Sequence, residues 1–221
     1  NTTGDYNTAV GNEALDANTT ASHNTAVGYN ALGANTTGDS NTGVGRGALG
    51  ANTTGAYNVA VGANAGDAIT THSHNTFIGN NSGTSTNGNN NNTAVGSASL
   101  YSNTSGGGNV AVGYAALYEN TTASNNTAVG LSALYANTTG TSNTAVGTNA
   151  LSTLTTSNNC TAVGKDALKV NTAATCTAVG MVALESNTTG ISNTAVGGQA
   201  LEDCTTGEYN AAFGANAARS I

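Results

Sequence analysis

The stretch NTAVGYNALGANTTGDS, residues 24–40, is one copy of a 17-residue block that recurs about thirteen times along the chain. Every step between blocks is 17 residues, apart from one step of 16 whose missing residue falls in a turn around residues 171–175. A short unit repeated at a fixed period is typical of a solenoid, in which each unit forms one coil stacked on the last. Numbering each block from 1 to 17, position 1 is occupied by Asn7, Asn24, Asn41, Asn58, Asn75, Asn92, Asn109, Asn126, Asn143, Cys160, Cys176, Asn193 and Asn210.

The residue types within the block predict β-structure, because Thr, Val, Asn and Gly all disfavour helix. We expect Thr and Val at positions 2 and 4 to face the coil interior, and Ala at position 3 to face outward. Position 5 is Gly in every block, which indicates a backbone angle that only Gly tolerates or a corner too tight for a Cβ. Ala-Leu at positions 8 and 9 adds a second apolar contact, and NTTG forms a return turn in which Asn and Gly supply positive φ.

The sequence therefore predicts an all-β chain, a parallel β-solenoid (β-roll) of about thirteen coils, each with two short strands and two turns. Residues 1–221 form a single repeat array, with irregular coils within 65–92. The chain begins and ends within a block, so we expect it to be a fragment of a longer protein. Asn at position 1 forms a column whose amides hydrogen-bond along the stack. The repeated N-T-T sequons are explained by turn chemistry better than by glycosylation.

Composition excludes several functions. The net charge is −7 with only four basic residues, which argues against binding to nucleic acid or to anionic membrane surfaces. No apolar run approaches 18 residues, so we expect no membrane insertion. There is no Ser-His-Asp pattern, Walker loop or zinc-ligand spacing, and carboxylates are sparse. We therefore expect neither enzymatic activity nor a cofactor.

The interior of one coil is small, which predicts that further burial comes from outside the coil. The column of small residues at position 3, including Ala9, Ala26, Gly43 and Ala60, is the expected surface for a partner chain. The partner is expected to be a second copy of this chain, in a homotrimer or in a filament.

The run Asn24-Thr25-Ala26-Val27-Gly28-Tyr29-Asn30-Ala31 resembles the S-V-A-I-G-x-x-A repeats of YadA-like heads in trimeric autotransporter adhesins. The N-T-A-V-G and A-L-x-x-N-T-T-G segments also resemble repeat arrays of phage and viral tail-fibre proteins. The resemblance covers essentially the whole chain, although the adhesin repeat is shorter. It implies a left-handed parallel β-roll, three chains around one axis, and attachment to surfaces. On this resemblance Thr25 and Val27 face the coil interior, and Ala26 faces a neighbouring chain.

Three groups of residues are candidate sites. Tyr101, Tyr118 and Tyr135 all occupy position 10, where they predict an aromatic column that either contacts glycans or packs between coils. His72 and His74 lie two residues apart and could gather around a metal in a three-chain fibre, although turns of a roll usually face solvent.

Cys160 and Cys176 occupy position 1 of adjacent coils, where close approach makes a disulfide a candidate, whereas Cys204 lies on another column. The irregular stretch within 65–92 is either a local binding site or bend, or a tolerated irregularity.

These features favour a structural and adhesive extracellular fibre module on a cell or virion surface, a rigid stalk or head that attaches to surface glycans or a host receptor. One alternative is a self-assembling extracellular filament subunit. Another is an ice-binding solenoid, against which stands the expectation that the Thr pairs lie in turns and not on a flat strand face.

Overall fold

The computed structural model describes residues 1–220 and contains no helix among them. The chain forms two compact units, residues 1–109 and 110–221, and each is a parallel β-solenoid. The all-β prediction is therefore confirmed. In the first unit the strands pair in chain order as β1 (Thr8–Val10), β2 (Thr25–Val27), β3 (Thr42–Val44), β4 (Val59–Val61), β5 (Thr76–Ile78) and β6 (Thr93–Val95). In the second unit they are β7 (Val110–Val112), β8 (Thr127–Val129), β9 (Thr144–Val146), β10 (Thr161–Val163), β11 (Thr177–Val179), β12 (Thr194–Val196) and β13 (Ala211–Phe213).

Each coil contains one three-residue strand at positions 2–4, and not the two strands expected from the sequence. The Ala-Leu segment lies in a turn, where Leu32 has a φ of 51°. Positive φ occurs at positions 7, 9 and 17 and at the position-5 Gly, but not at the Asn and Gly of NTTG. A left-handed conformation is costly for Leu, but here the side chain becomes fully buried and its N–H donates to Ala48 O of the next coil at 3.0 Å.

The assignment of the strand faces from the sequence was wrong. Ala26 and Ala60 at position 3 are completely buried within their own unit, whereas Val61 at position 4 is 37% exposed. The outward column at position 3 therefore does not exist, and Thr25 and Val27 lie on the outer face. In a three-residue strand, alternation establishes only that the side chain of position 3 points to the opposite face from those of positions 2 and 4. It does not establish which face is buried.

The narrow interior explains this orientation. A Cβ added to Gly43 at position 3 would lie 3.0 Å from Ala48 O and 3.3 Å from Leu32 Cγ. The Leu side chain of position 9 thus fills the coil and leaves room for about one methyl group on the strand. Val fits only on the outside, and the buried apolar residues of a coil are mainly Ala and Leu.

Both reasons proposed for the Gly at position 5 hold. Gly147 has a φ of 135°, and a Cβ built on it would lie 2.5 Å from the carbonyl oxygen of Gly164 in the next coil. The same corner recurs in both units, for example where a Cβ on Gly28 would lie 2.6 Å from Gly45 O. Successive coils therefore stack backbone on backbone at this corner.

Two columns of buried Asn hold the coils together. At position 1, Asn41 Oδ1 accepts the backbone N–H of Asn58 at 2.9 Å, and its amide donates to Gly55 O at 2.8 Å. At position 12, the Asn52 amide donates to Asn35 Oδ1 at 2.8 Å, which forms an amide ladder. The position-1 column confirms the structural role expected of it, whereas the position-12 ladder was missed. The position-12 Asn of the N-T-T sequons is buried, so glycosylation is blocked there.

A compensated change of packing explains the apolar irregularities within residues 65–92. Phe77 replaces Ala at position 3 and is completely buried. Position 9, which is usually Leu, is Gly83 in the coil that contains Phe77 and Gly66 in the preceding coil. A Cβ on either Gly would lie within 2.7 Å of the Phe77 ring. One aromatic ring therefore occupies the space that two leucines fill elsewhere.

Candidate binding surfaces

The outer faces of the strands carry a regular polar and apolar array, which we call the Thr–Val face. It consists of the side chains at positions 2 and 4 of strands β2–β6 in the first unit and β7–β12 in the second. Position 2 is Thr or Val, and position 4 is Val or Ile. In-register pairing aligns Thr25 with Thr42 and Val27 with Val44, so like residues repeat along each unit at about 4.8 Å. Ile78 is 39% exposed in the first unit and Val163 is 37% exposed in the second.

The hydroxyls of this face are available for binding. The position-2 threonines make no side-chain hydrogen bond within residues 1–220, whereas most position-13 threonines of the turns do. Thr36 Oγ1, for example, donates to Thr53 O of the next coil at 3.0 Å. The turn hydroxyls are therefore committed to the stack, and the strand hydroxyls are free to meet solvent or a partner.

A polar groove opens on the first unit at the corner that follows the Thr–Val face. Its volume is about 340 Å³. It opens where position 10 is Gly50, a position that holds Tyr in three other blocks. We call it the Arg46–Asp67 groove, and its lining is Tyr29, Asn30, Arg46, Gly47, Gly50, Ala51, Asn64 and Asp67.

The charges of this groove are only partly compensated. Burial raises the pKa of Asp67. The backbone N–H groups of Asp67 and Ala68 and the charge of Arg46 act in the opposite direction but do not cancel this effect. Asp67 Oδ1 is buried and has no hydrogen-bond partner, and Arg46 forms no ion pair within residues 1–220. Glu13 beside the Tyr29 hydroxyl raises the pKa of the phenol. The groove thus offers an exposed aromatic ring, a guanidinium without an ion pair within residues 1–220 and a half-buried carboxylate.

The predicted tyrosine column is partly seen. In the second unit the rings of Tyr118 and Tyr135 stack with centroids 5.1 Å apart and planes 1° apart, and both residues are half-buried. Tyr101 holds the same position in the first unit and is also half-buried. Packing between coils therefore accounts for the rings of Tyr118 and Tyr135, and their contact with glycans stays a prediction.

The two candidate histidines have different environments. The His74 ring stacks on Tyr57, with centroids 5.0 Å apart, and His72 Nδ1 is buried without a hydrogen-bond partner. Tyr6 and His23 form an equivalent exposed pair at position 17, at 4.9 Å, and the sequence analysis missed both pairs. In the described part of the chain, no three His, Cys, Asp or Glu side chains are grouped to hold a metal.

Cys160 and Cys176 are free, buried thiols, so the candidate disulfide does not form in this structure. Each thiol replaces an Asn amide of position 1, as Cys160 Sγ contacts Ala173 O at 3.2 Å and Cys176 Sγ contacts Gly190 O at 3.2 Å. Burial raises the pKa of Cys160 to about 11. Cys204 is also a free, buried thiol.

The second unit carries a small ion cluster. Asp166 lies 3.1 Å from Lys165 Nζ and 3.4 Å from Lys169 Nζ. Burial alone would raise the pKa of Asp166, but a hydrogen bond from Asn149 and the two lysines outweigh it, so the pKa is lowered. Lys169 Nζ also lies 3.5 Å from Glu185 Oε1 of the next coil, so the cluster links two neighbouring coils.

No helix long and apolar enough to cross a lipid bilayer is present in residues 1–220. No protein-family model, curated protein or solved structure matches this chain. The functional argument therefore depends on the geometry of the surfaces described above.

Proposed function

We propose that this chain is a non-enzymatic structural and adhesive module of an extracellular fibre on a cell or virion surface. The observation that carries the proposal is the Thr–Val face. It repeats one pair of outward side chains coil after coil, and no charged residue occupies positions 2 or 4 in any of the thirteen strands. Such a face suits an extended contact with a repetitive partner better than it suits catalysis on a small substrate.

The same face is the proposed contact between copies of the chain in a homotrimer. Position 3 cannot serve, because its side chains are buried within each unit. Half-exposed Val and Ile side chains at position 4 form a continuous apolar row, and covering that row removes apolar surface from water. The neighbouring threonines supply hydroxyls that can pair across the contact.

The solution mass tests this assembly. One chain has a mass of 21.4 kDa, so a trimer measures three times that value by light scattering. Replacing Val129 and Val146 by Lys places charges on the face and should reduce the mass to that of one chain. Val170→Lys is the matched control, because Val170 is 38% exposed but lies outside the strands. A monomeric parent chain would refute the trimer, and a mass far above three chains would indicate a filament.

Ice binding is a second candidate, and the corrected strand faces favour it. The expected objection was that the Thr pairs lie in turns, whereas the structure places free Thr hydroxyls beside Val methyl groups on an outward strand face. An array that repeats in two directions can order water into a lattice-like layer. This reading requires the face to be uncovered, so it competes with the trimer for the same surface.

Thermal hysteresis in freezing solution distinguishes the two functions. An ice-binding chain should be monomeric and show hysteresis that is lost in Thr127→Lys and Thr144→Lys. Thr139→Lys is the control, since Thr139 is exposed in a turn. Absence of hysteresis in the parent chain refutes ice binding, and hysteresis with a single-chain mass overturns the trimer.

A further inference from the structure

We propose that the Arg46–Asp67 groove binds a saccharide, through a single pyranose ring with neighbouring hydroxyls. The inference rests on the attachment role proposed above, since it names the chemistry that one attachment site would recognise. It concerns only the first unit and does not depend on the Thr–Val face being covered or free.

The shape of the groove comes from two glycines at positions that carry larger residues elsewhere. Gly47 occupies position 7, where Asn30 and Asn64 stand in the coils on either side, and Gly50 occupies position 10. The resulting space, about 340 Å³, lies at the lower end of the range for small-ligand sites. It therefore suits one sugar ring and part of a second.

The polar groups of the groove match hydroxyl groups in both hydrogen-bonding senses. Asp67 lines the groove with a half-buried carboxylate, which accepts hydrogen bonds from donors such as sugar hydroxyls. Arg46 has five N–H donors and no ion pair within residues 1–220. The Asn64 amide donates to Asn81 at 3.2 Å, so its carbonyl oxygen, which lies against Gly47, is the free end of that side chain.

An aromatic ring completes the site. Tyr29 is 52% exposed and lines the groove. A half-exposed ring can cover the C–H face of a pyranose while the polar groups bind its hydroxyls.

Other ligand classes fit less well. Asp67 and Glu13 repel a phosphate or carboxylate, and Arg46 repels a metal ion or an ammonium group. An apolar ligand would leave the carboxylate of Asp67 buried without a partner, which is costly. A neutral polyol can accept hydrogen bonds from the Arg46 guanidinium and donate hydrogen bonds to the Asp67 carboxylate.

Saturation-transfer NMR and calorimetry on the full chain test the site with methyl α-D-mannoside, methyl β-D-galactoside, methyl β-D-glucoside and sodium phosphate as probes. We expect at least one glycoside to bind with a Kd on the order of 1 mM, as suits a ligand of about a dozen non-hydrogen atoms. Gly50→Tyr fills the groove with a residue that other coils carry at position 10, and should weaken binding about 10-fold or more. Asp67→Asn removes the carboxylate charge and should weaken binding to a similar degree.

Two matched controls should bind as the parent chain does. Ser152→Tyr places the same side chain at position 10 of the second unit, and Asp16→Asn makes the same change at position 10 of the first coil. Binding that persists in both Gly50→Tyr and Asp67→Asn would overturn the site, as would phosphate binding without glycoside binding. If no glycoside binds but Val129→Lys with Val146→Lys dissociates a trimer, only the saccharide inference fails. If glycosides bind to a monomeric chain, the proposed homotrimer is refuted and the saccharide site stands.

Discussion

Replacing Gly147 by Ala tests the corner contact that stacks the coils. The new Cβ would lie 2.5 Å from Gly164 O and 2.6 Å from Gly164 C, both backbone atoms that cannot rotate away. A non-Gly residue at this φ of 135° costs about 1–3 kcal/mol. Overpacking costs about 1–3 kcal/mol more. We therefore expect Gly147→Ala to lower the free energy of unfolding by about 2–6 kcal/mol.

Urea unfolding followed by circular dichroism measures the effect. With a slope of about 3 kcal/mol per molar urea, the midpoint should fall by about 0.7–2 M. Gly214→Ala isolates the strain, because Gly214 has a φ of 119° but nothing within 4 Å of the added Cβ, so about 1–3 kcal/mol is expected. Gly198→Ala should change stability by less than about 0.5 kcal/mol, since its nearest atom, Met181 O, is 4.0 Å away. A Gly147→Ala chain as stable as Gly198→Ala would refute the corner contact.

Three further predictions concern buried and charged side chains. Cys160, with a pKa raised to about 11, should resist Ellman's reagent at pH 8 in the native chain and react fully in urea. Asn41→Ala leaves the buried N–H of Asn58 unpaired, whereas Gly55 O keeps the Asn52 amide as a donor, so the unfolding free energy should fall by about 1–3 kcal/mol in urea titrations. Lys169→Gln should destabilise the chain by about 0.5–1 kcal/mol at pH 7. Because the folded pKa of Asp166 is lowered, that difference is present above pH 3.8 and should vanish as pH falls through the folded value.

Each of these predictions has a control. Asn12→Ala changes an exposed Asn and should leave stability within about 0.5 kcal/mol, so an equal loss for Asn12→Ala and Asn41→Ala would contradict the stabilising role of the position-1 column. Rapid labelling of the native chain would contradict the buried environment of Cys160. A Lys169→Gln effect that persists well below pH 3.8 would show that packing, and not the charge of Asp166, is responsible.

The repeat period alone was enough to predict much of the architecture. A parallel solenoid, the invariant Gly at a tight corner, the inward Leu of position 9 and the structural Asn of position 1 all followed from it. These features depend on residues that have one physical use in a stacked coil. Only Gly tolerates the backbone conformation of the corner. Asn at position 1 can accept a hydrogen bond from the backbone of the next coil while its amide donates a hydrogen bond within its own coil. The groove could have been suspected from the Gly residues at positions 7 and 10, but not its volume or the half-buried carboxylate that lines it.

The tertiary structure alone decided which side of the strand is the inside. Alternation in a three-residue strand separates position 3 from positions 2 and 4, and hydrophobicity favoured Val over Ala for the interior. The coil closes so tightly that Leu32 and its equivalents fill it, so only a methyl group fits at position 3. Phe77 shows the same limit, since it enters only where Gly66 and Gly83 make room. The volume inside the coil depends on how the whole coil closes, and no local sequence pattern predicts it. Because that volume is small, Thr and Val at positions 2 and 4 lie on the outer surface of each unit.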